Sequence, residues 1–564
     1  MAKSALTPSQ AVRKFFEFLR LDRKDVSAIY IFAILAGLVQ LALPLGIQTI
    51  IGFVLAGTIS TSIIVLVTVI VISTFIYGLL QVRQMQIIEK IQQKIFVRLS
   101  FEFTDRLPKL NVEKLDNYYL PELVNRFFDT VNLQKGVEKL LLDVPTAIIQ
   151  IAFGLILLSF YHPVFIGFGA LLIFIVYLII RYTSPKGLET SIKASDYKYN
   201  TAAWLEEIAR VIKSFKYSRG TTLHIDRADE NVSGYLTSRT AHFKILLTQY
   251  WSLIAFKVLI TAAMLIVGAF LLVDQQINIG QFIAVELVIL TIIASVEKLI
   301  MNLDKVYDVL TSIYKVSKIT DSEIEEEGSA LLEDLPRGVG IQFNNVSFKY
   351  ADGSSALRNI NFKINPGQRV CIMGESGAGK STILRLLTGA YTDFDGMVLL
   401  DDIPIGNFNL HSLRSKTGIL LSLQDIFHGS LFDNITLGNK SIPLSEITEL
   451  ADKCGLVPFV QSLPKGFDTI IDPTGKRLPG KVKQDILLLR ALLGSRRLLL
   501  LEEPFIHLER KYKESLLEFL QSEVNSTIVI TTSDPEVASI CDWVIKMDEG
   551  SIIAQGPWSQ FQSA

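Results

Sequence analysis

The chain has 564 residues, enough for about four domains of ordinary size or for fewer large ones. Lysine and arginine number 55 against 56 aspartate and glutamate residues, so the net charge of −1 excludes both the basic excess typical of a nucleic-acid-binding protein and the acidic excess of a disordered chain. Hydrophobic residues make up 49% of the chain, and they are concentrated in its first half.

The amino-terminal segment places apolar residues at helical spacing among charged ones. Val12, Phe15, Phe16 and Leu19 recur on one side of a helix. This pattern predicts a helix that lies on a membrane surface, and a merely polar tail is the alternative.

Six nearly uncharged stretches follow. Most approach the ~20 residues that a helix needs to cross the hydrocarbon core of a bilayer. They are 28–54, 63–82, 144–160, 164–180, 251–273 and 282–296. The pattern predicts an integral membrane protein with six spans, and buried helices of a large soluble protein are the weaker alternative.

The connectors between the stretches alternate in length and charge. Three short ones, 57–62, 161–163 and 274–280, contain neither lysine nor arginine. The others are long and basic, and basic connectors stay on the cytoplasmic side. Both termini are therefore predicted to be cytoplasmic.

Four polar or helix-breaking residues interrupt the spans. Glu286 in the last span is expected to face a cavity or a partner, where it binds substrate or a proton; a charge near a span end is the alternative. Gln40, Pro44 and Gln48 in the first span either line a pathway or pack between helices.

The second half of the chain reads as soluble. An acidic run, 321–338, ends in Pro336 and Gly338 and predicts a linker between a membrane domain, 1–320, and a second domain, 339–564. Apolar runs at 341–348, 370–373 and 498–501 alternate with helical patterns and predict an α/β domain. Cys371, Cys454 and Cys541 all lie in this half, in a compartment predicted to be reducing. They are therefore expected to be core residues rather than partners in disulfides.

The segment GESGAGKST follows one of these strands and precedes a helical pattern. It fits GxxxxGK[ST], in which backbone N–H groups and a helix amino terminus bind phosphate oxygens. Lys380 is predicted to reach the β and γ phosphates, and Ser381 to coordinate Mg²⁺. The predicted nucleotide-binding residues are Gly374, Glu375, Ser376, Gly377, Ala378, Gly379, Lys380, Ser381 and Thr382.

A second motif, RRLLLLEEP, is an apolar strand that ends in Glu502 and Glu503. A carboxylate at such a position can hold Mg²⁺ through water, and its neighbour can act as general base toward the attacking water. The alternative is a buried strand that ends in two solvated acids.

Six spans with long inner connectors, followed by a phosphate-loop domain, resemble the half-transporters of the ABC exporter family. VSFKY (346–350) and GSLFDNITLG (429–438) support the resemblance, and 115–131 and 206–215 look like the inner-loop tips that touch the nucleotide-binding domains. The resemblance implies a six-helix transmembrane domain followed by an α/β P-loop domain, in the bacterial inner membrane. It also implies ATP and Mg²⁺ as ligands.

The resemblance also implies individual roles, some on altered motifs. Tyr350 matches the aromatic residue on which adenine stacks, and the alternative is an ordinary strand aromatic. Ser422 stands at the usual glutamine, with Gln424 two residues later as a replacement phosphate and Mg²⁺ ligand. The acid on the Mg²⁺ side is Glu502 instead of aspartate, and Thr532 replaces the histidine that senses the γ phosphate.

The signature motif LSGGQ, which in the family clamps the γ phosphate bound to the opposite subunit, corresponds to LPGKV, where only Leu478 and Gly480 survive. We therefore expect good ATP binding and poor hydrolysis in a homodimer. A heterodimer offers one way out, because a second half-transporter with an intact signature could face Lys380 and Glu503, although Thr532 would remain.

The leading hypothesis is an ATP-driven exporter subunit that works as a dimer. A likeness of LPLGIQTIIGFVL (43–55) to toxin- and peptide-secretion members favours peptide or protein cargo, which brings a periplasmic adaptor as a possible partner. The alternatives are a catalytically impaired subunit that supports an active partner, a lipid or drug exporter, and an ATP-gated channel.

Overall fold

The computed structural model describes residues 8–20, 22–57, 61–111, 113, 120–218, 220–472 and 478–561. The chain divides into two units, each considered by itself. The first comprises Met1–Lys109 and Tyr118–Ser322, and the second comprises Leu110–Asn117 and Glu323–Ala564. The predicted connector 57–62 and inner-loop tip 115–131 lie partly outside the described residues.

The first unit is helical throughout its described part. Its helices are α1 (Pro8–Arg20), α2 (Arg23–Gln40), α3 (Ala42–Leu55), α4 (Thr61–Arg106), α5 (Leu120–Asn125), α6 (Asp129–Tyr161), α7 (Val164–Arg210), α8 (Ile212–Tyr217), α9 (Leu223–Val273), α10 (Ile279–Met301) and α11 (Leu303–Thr320). Among the described residues, six segments are long and apolar enough to cross a membrane, which confirms the predicted spans. The protein is therefore an integral membrane protein.

Four of the helices are much longer than the apolar stretches that predict them. The longest, α9, has 51 residues, where a span needs ~20. The extra turns come from the long basic connectors, which are rich in Glu, Gln, Lys and Arg. These residues are good helix formers, so the helices continue beyond the apolar stretches.

The first span consists of two helices, α2 and α3, which are separated at Leu41. Pro44 stands in the first turn of α3, where its missing N–H is tolerated. The last span begins with a capping box, in which the Asn278 side chain accepts from Gln281 N and the Gln281 side chain accepts from Asn278 N, both at 2.8 Å.

The amino-terminal segment forms α1 as predicted. Leu19 is buried, whereas Phe16 is 61% exposed. The expectation that this helix lies on a membrane surface stays a prediction.

The second unit mixes strands and helices. Its strands are β1 (Ile341–Lys349), β2 (Ser355–Ile364), β3 (Arg369–Gly374), β4 (Asp395–Leu400), β5 (Ile403–Pro404), β6 (Thr417–Leu420), β7 (Gly429–Ser430), β8 (Ile470–Ile471), β9 (Leu498–Glu502), β10 (Thr527–Thr531), β11 (Trp543–Asp548) and β12 (Ser551–Gly556). Its helices are α12 (Lys380–Leu387), α13 (Leu410–Ser415), α14 (Leu431–Thr436), α15 (Leu444–Lys453), α16 (Val457–Ser462), α17 (Gly480–Leu492), α18 (Arg510–Ser522) and α19 (Pro535–Ser539).

The main sheet has the order β12-β11-β3-β10-β9-β6, and all its pairs are parallel except β11 with β12. Its central strands, β3, β9 and β10, are apolar and buried, because a parallel sheet is covered on both faces. An antiparallel sheet, β2-β1-β4-β5, packs beside it. The α/β fold of this half is thereby confirmed. Cys371, Cys454 and Cys541 are buried and have free thiols.

The segment predicted as a linker is packed in the second unit from Glu323 onward. Leu332 is buried in the core, and the Arg414 guanidinium pairs with Glu325 at 2.6 Å. Leu110, which follows the α4 helix in sequence, pairs with Ile324 in an antiparallel bridge. Long-range pairing of this kind leaves no local sequence signal.

Candidate functional site

The candidate site lies where three neighbouring strands of the main sheet end. The loop after β3 carries Gly374–Lys380, β9 ends at Glu502, and Thr531 ends β10. The carboxyl ends of parallel strands meet at one edge of a sheet, so these segments line one cavity of about 690 Å³. That volume is within the usual range for a ligand site.

Most of the predicted site residues line this cavity. They are Tyr350, Gly374, Glu375, Ser376, Gly377, Gly379, Lys380, Ser381, Thr382, Glu502 and Glu503. The loop that follows β3 therefore shares the cavity with the two acids.

The glycines of the loop are required by its shape. Gly374, Gly377 and Gly379 have φ values of 152°, 87° and 96°, which side-chain-bearing residues rarely adopt. A Cβ on Gly374 would lie 2.3 Å from Met547 O, and one on Gly379 would lie 2.6 Å from Ala356 O. This glycine cradle lets the backbone approach a ligand closely, and its N–H groups precede a helix amino terminus, as anion binding requires.

Lys380 begins α12 and folds back over the loop. Its Nζ donates to Gly374 O at 2.7 Å and to Glu375 O at 2.8 Å. The ammonium group is therefore held above the cradle, where it can pair with the negative charge of a bound phosphate chain.

Glu502 joins two walls of the site. One carboxylate oxygen accepts a hydrogen bond from Ser381 Oγ, and the other accepts from Ser422 N at 2.7 Å. A hydroxyl next to a carboxylate is an oxygen donor set that suits Mg²⁺. The residues present thus fit the ion.

Glu503 is held in an unusual backbone conformation, with φ of 46°, and its N–H donates to Thr531 O at 2.9 Å. Burial raises the pKa of Glu503, while the charge of Lys380 and a hydrogen bond with Thr532 oppose that rise. A carboxylate with a raised pKa is a better proton acceptor, as a general base requires.

Tyr350 is fixed by its neighbours. Its hydroxyl bonds Thr382 Oγ1 at 2.9 Å and accepts from Arg385 Nη1 at 2.9 Å. Its ring meets Phe348 and Tyr391 edge to face. The ring therefore has one orientation at the rim of the cavity.

Several predicted residues do not line the cavity. Ala378 is buried in the core beneath the loop. Thr532 is only 2% exposed, and its Oγ1 accepts from Asp534 N at 3.1 Å. Gln424 turns its side chain to its own loop, where Oε1 accepts from Leu421 N at 3.0 Å, and Ser422 contributes its backbone N–H rather than its hydroxyl.

The altered signature segment is also elsewhere on the unit. Leu478 packs against the helical core, and Gly480 begins α17 after Pro479. Lys481 pairs with Glu509 at 2.6 Å. Neither Leu478 nor Gly480 belongs to the cavity wall.

The sequence reasoning missed Arg385, Ser354 and Ser533 in the cavity wall. Arg385 stands one helical turn after Ser381 and Thr382, so its position on the same face of α12 was a usable signal. Ser354 and Ser533 come from loops, whose positions depend on the folded sheets.

Two family models match this chain. The model of the ABC transporter transmembrane region matches residues 26–296, and the model of the ABC transporter matches residues 357–506. The two matches therefore fall on the two units that the structure separates.

Several bacterial proteins are similar in sequence to this chain. The chain is 28% identical to the alpha-hemolysin translocation ATP-binding protein HlyB of Escherichia coli O157:H7, over 63% of this chain and 50% of that protein. It is 30% identical to an ATP-dependent lipid A-core flippase of Coxiella burnetii, over 50% of this chain and 49% of that protein. The chain thus spans about half the length of these curated relatives.

A solved structure shares the fold over nearly the whole chain. The structure of a bacterial Atm1-family ABC exporter with ATP bound superposes with a TM-score of 0.85 at 20% identity and covers 96% of both chains. At that identity the likeness shows the fold alone.

Proposed function

This chain belongs to the ABC transporter family, and from that premise we propose that it is one half of an ATP-driven exporter. The observation that carries the proposal is a single cavity in which the glycine cradle, Lys380 and the acid pair Glu502 and Glu503 meet, in a chain with six apolar spans. The site would work in a bacterial inner membrane with both termini in the cytoplasm, as the uncharged short connectors and basic long ones indicate.

The residues divide the work between binding and proton transfer. The cradle and Lys380 bind the phosphates, and the ring of Tyr350 offers a stacking surface for the base. Ser381 and Glu502 would hold Mg²⁺, with Gln424 reaching it only if its loop opens. When bound, the ion neutralises charge on the transferred phosphate. Glu503 accepts the proton of the attacking water.

For the cargo, we favour a peptide or protein over a lipid. One relative is named for alpha-hemolysin translocation and another as a lipid A-core flippase. The relatives therefore support export but do not distinguish a protein cargo from a lipid cargo. The preference rests on the first span, whose sequence resembles toxin- and peptide-secretion members, and it brings a periplasmic adaptor as the expected partner. Lipid or drug export and an ATP-gated channel are the outcomes to test against it.

A second function is favoured by the altered motifs. Pro479 supplies no side-chain cap to α17, Lys481 is engaged by Glu509, and Thr532 is buried. These features support a subunit that binds ATP well and hydrolyses it poorly as a homodimer. Such a subunit would pair with a second half-transporter that supplies an intact signature.

ATP turnover by the purified chain in lipid distinguishes the two functions. Lys380→Ala should abolish nucleotide binding, whereas Glu503→Gln should keep binding and abolish turnover. Turnover of about 1 s⁻¹ or faster that both variants lose would establish the chain as a motor by itself. Binding without turnover would establish the partner-dependent function. Turnover that survives both substitutions would contradict the site.

A further inference from the structure

A neutral hydrogen-bond chain crosses three spans of the first unit. Gln150 Nε2 in α6 donates to Gln40 Oε1 in α2 at 2.6 Å, and Ser295 Oγ in α10 donates to Gln150 Oε1 at 2.8 Å. All three residues lie inside the apolar stretches. Polar side chains at that depth are costly unless they bond one another or serve a function.

A cavity adjoins these hydrogen-bonded side chains. Gln40, Gln150 and Thr291 line a space of about 80 Å³, and the same three residues form one wall of a wider opening of about 420 Å³. Apolar walls of Phe153 and Leu287 complete the smaller space. The polar groups therefore face a space that another molecule can enter.

The backbone adds another polar group at the same place. The helix of the first span breaks after Gln40, and Pro44 has no N–H to donate to the Gln40 carbonyl four residues earlier. Broken helices at membrane depth occur where the freed backbone is buried in protein or lines a cavity. The break thus takes from the Gln40 carbonyl the hydrogen bond that a continuous helix would supply.

The charges nearby are already paired. Lys298, on the wall of the wider opening, pairs with Asp143 at 2.8 Å. Glu286, which the sequence singled out, is absent from both walls. Since the groups on offer are amide and hydroxyl, the site suits a ligand that is uncharged and both donates and accepts hydrogen bonds.

We propose that Gln40, Gln150, Thr291 and Ser295 form a hydrogen-bonding subsite for the main-chain amides of an uncharged peptide segment of the cargo. This inference rests on the proposed export function and specifies the class of its substrate. An amide matches the subsite because it presents one donor and one acceptor, as the glutamines do. A peptide amide can exchange hydrogen bonds with these side chains, which now bond one another, whereas a lipid chain offers no hydrogen bond in exchange.

Photo-crosslinking tests the subsite without requiring turnover. The probe is a neutral peptide of Ala, Ser and Gly, acetylated and amidated at its ends and carrying one benzophenone, added to the full chain in lipid. Its competitors are the unlabelled peptide, a twin with every main-chain N–H methylated, and lipid A. ATP turnover is measured on the same samples.

The unlabelled peptide should suppress crosslinking at about 10-fold lower concentration than the methylated twin, because the twin has lost its donors. Gln150→Met and, independently, Gln40→Met should weaken crosslinking about 10-fold. Thr68→Val is the matched control, because the Thr68 hydroxyl bonds Ile64 O within its own helix, at 2.8 Å, on an exposed face of α4.

The subsite would be overturned if the methylated twin competed as well as the unlabelled peptide, or if lipid A competed and the peptide did not. Unchanged crosslinking in both glutamine variants would also overturn it. Peptide crosslinking that depends on the glutamines, without any ATP turnover, would leave the subsite standing and contradict autonomous ATP-driven export. ATP turnover without peptide crosslinking would contradict the subsite and leave autonomous ATP-driven export standing.

Discussion

The hydroxyl of Ser381 donates a hydrogen bond to the carboxylate of Glu502, and this bond joins the first turn of α12 to the end of β9. The second carboxylate oxygen of Glu502 is held by Ser422 N at 2.7 Å. Glu502 is thus positioned by backbone and side chain before any ion arrives, and an ion here needs little reorganisation of the protein.

Glu502→Gln should remove the dependence of ATP affinity on Mg²⁺. The amide keeps the length of the side chain but not the negative charge that holds a divalent cation. We expect Mg²⁺ to tighten ATP binding about 10-fold or more in the wild type and less than twofold in the variant, measured by calorimetric titration with and without a chelator. Glu518→Gln, on an exposed position of α18, is the control. An unchanged Mg²⁺ effect in Glu502→Gln would refute the assignment.

Restoring two residues of the altered signature should raise ATP turnover. Pro479→Ser returns a hydroxyl and a backbone donor, and Lys481→Gly removes a bulky side chain whose exposed pair with Glu509 contributes little to stability. We expect the double variant to turn over ATP about 10-fold faster than the wild type in the same lipid. The gain should vanish when Glu503→Gln is added. No gain, in protein that still binds ATP, would show that these positions do not limit hydrolysis.

Arg497→Met should destabilise the second unit. The guanidinium is buried and donates to Arg337 O at 2.9 Å, to Gly338 O at 3.0 Å and to Asp401 Oδ2 at 2.8 Å. Methionine fills similar space but leaves Asp401 without its cation, at a cost of about 3–5 kcal/mol. The midpoint of thermal unfolding should fall by about 10 °C.

The control for that experiment is Arg510→Met, which removes only an exposed pair with Glu514 one turn away on α18. Exposed pairs of this kind contribute little, so its midpoint should move by no more than about 2 °C. Equal shifts in Arg497→Met and Arg510→Met would contradict the structural role of Arg497.

Asp485→Asn should stabilise the protein at neutral and alkaline pH. Burial in α17 raises the pKa of Asp485 to about 7, and one of its oxygens lacks a partner among the described residues. The folded state therefore holds the proton more tightly than the unfolded state, whose pKa is near 3.8. The destabilisation caused by the carboxylate grows as the pH rises from about 4 to about 7 and is constant above that range.

The unfolding midpoint of Asp485→Asn should therefore exceed that of the wild type most at pH 8, and the difference should shrink as the pH falls toward 4. Thermal scans across that range, with Asp452→Asn on the exposed side of α15 as the matched variant, measure it. A stability difference that does not change with pH would show that Asp485 is not a buried, titrating carboxyl group.

The features that the sequence predicts well are those with a local cause. Six apolar stretches predict six spans because the thickness of the bilayer sets their length. The glycines at 374, 377 and 379 predict a phosphate cradle because only glycine adopts those backbone angles without strain. Glu502 and Glu503 are placed by the strand that they terminate.

The features that the sequence misses depend on contacts between distant segments. Spacing places Ser422 at the usual glutamine, with Gln424 two residues later, but it does not show that Ser422 N bonds the distant Glu502 or that Gln424 accepts from Leu421 N. Thr532 follows β10 in sequence and is buried, and its side chain bonds Glu503 without lining the cavity. The hydrogen bond between Gln40 and Gln150 joins helices that are separated by the whole of α4.

The pairing of Leu110 with Ile324 also bears on the order of events during synthesis. Roughly two hundred residues separate Leu110 from Ile324, so the first is made long before the second leaves the ribosome. The second unit therefore cannot complete its fold while the helices of the third to sixth spans are being made. Its assembly therefore joins a segment made early to one made only after all six spans.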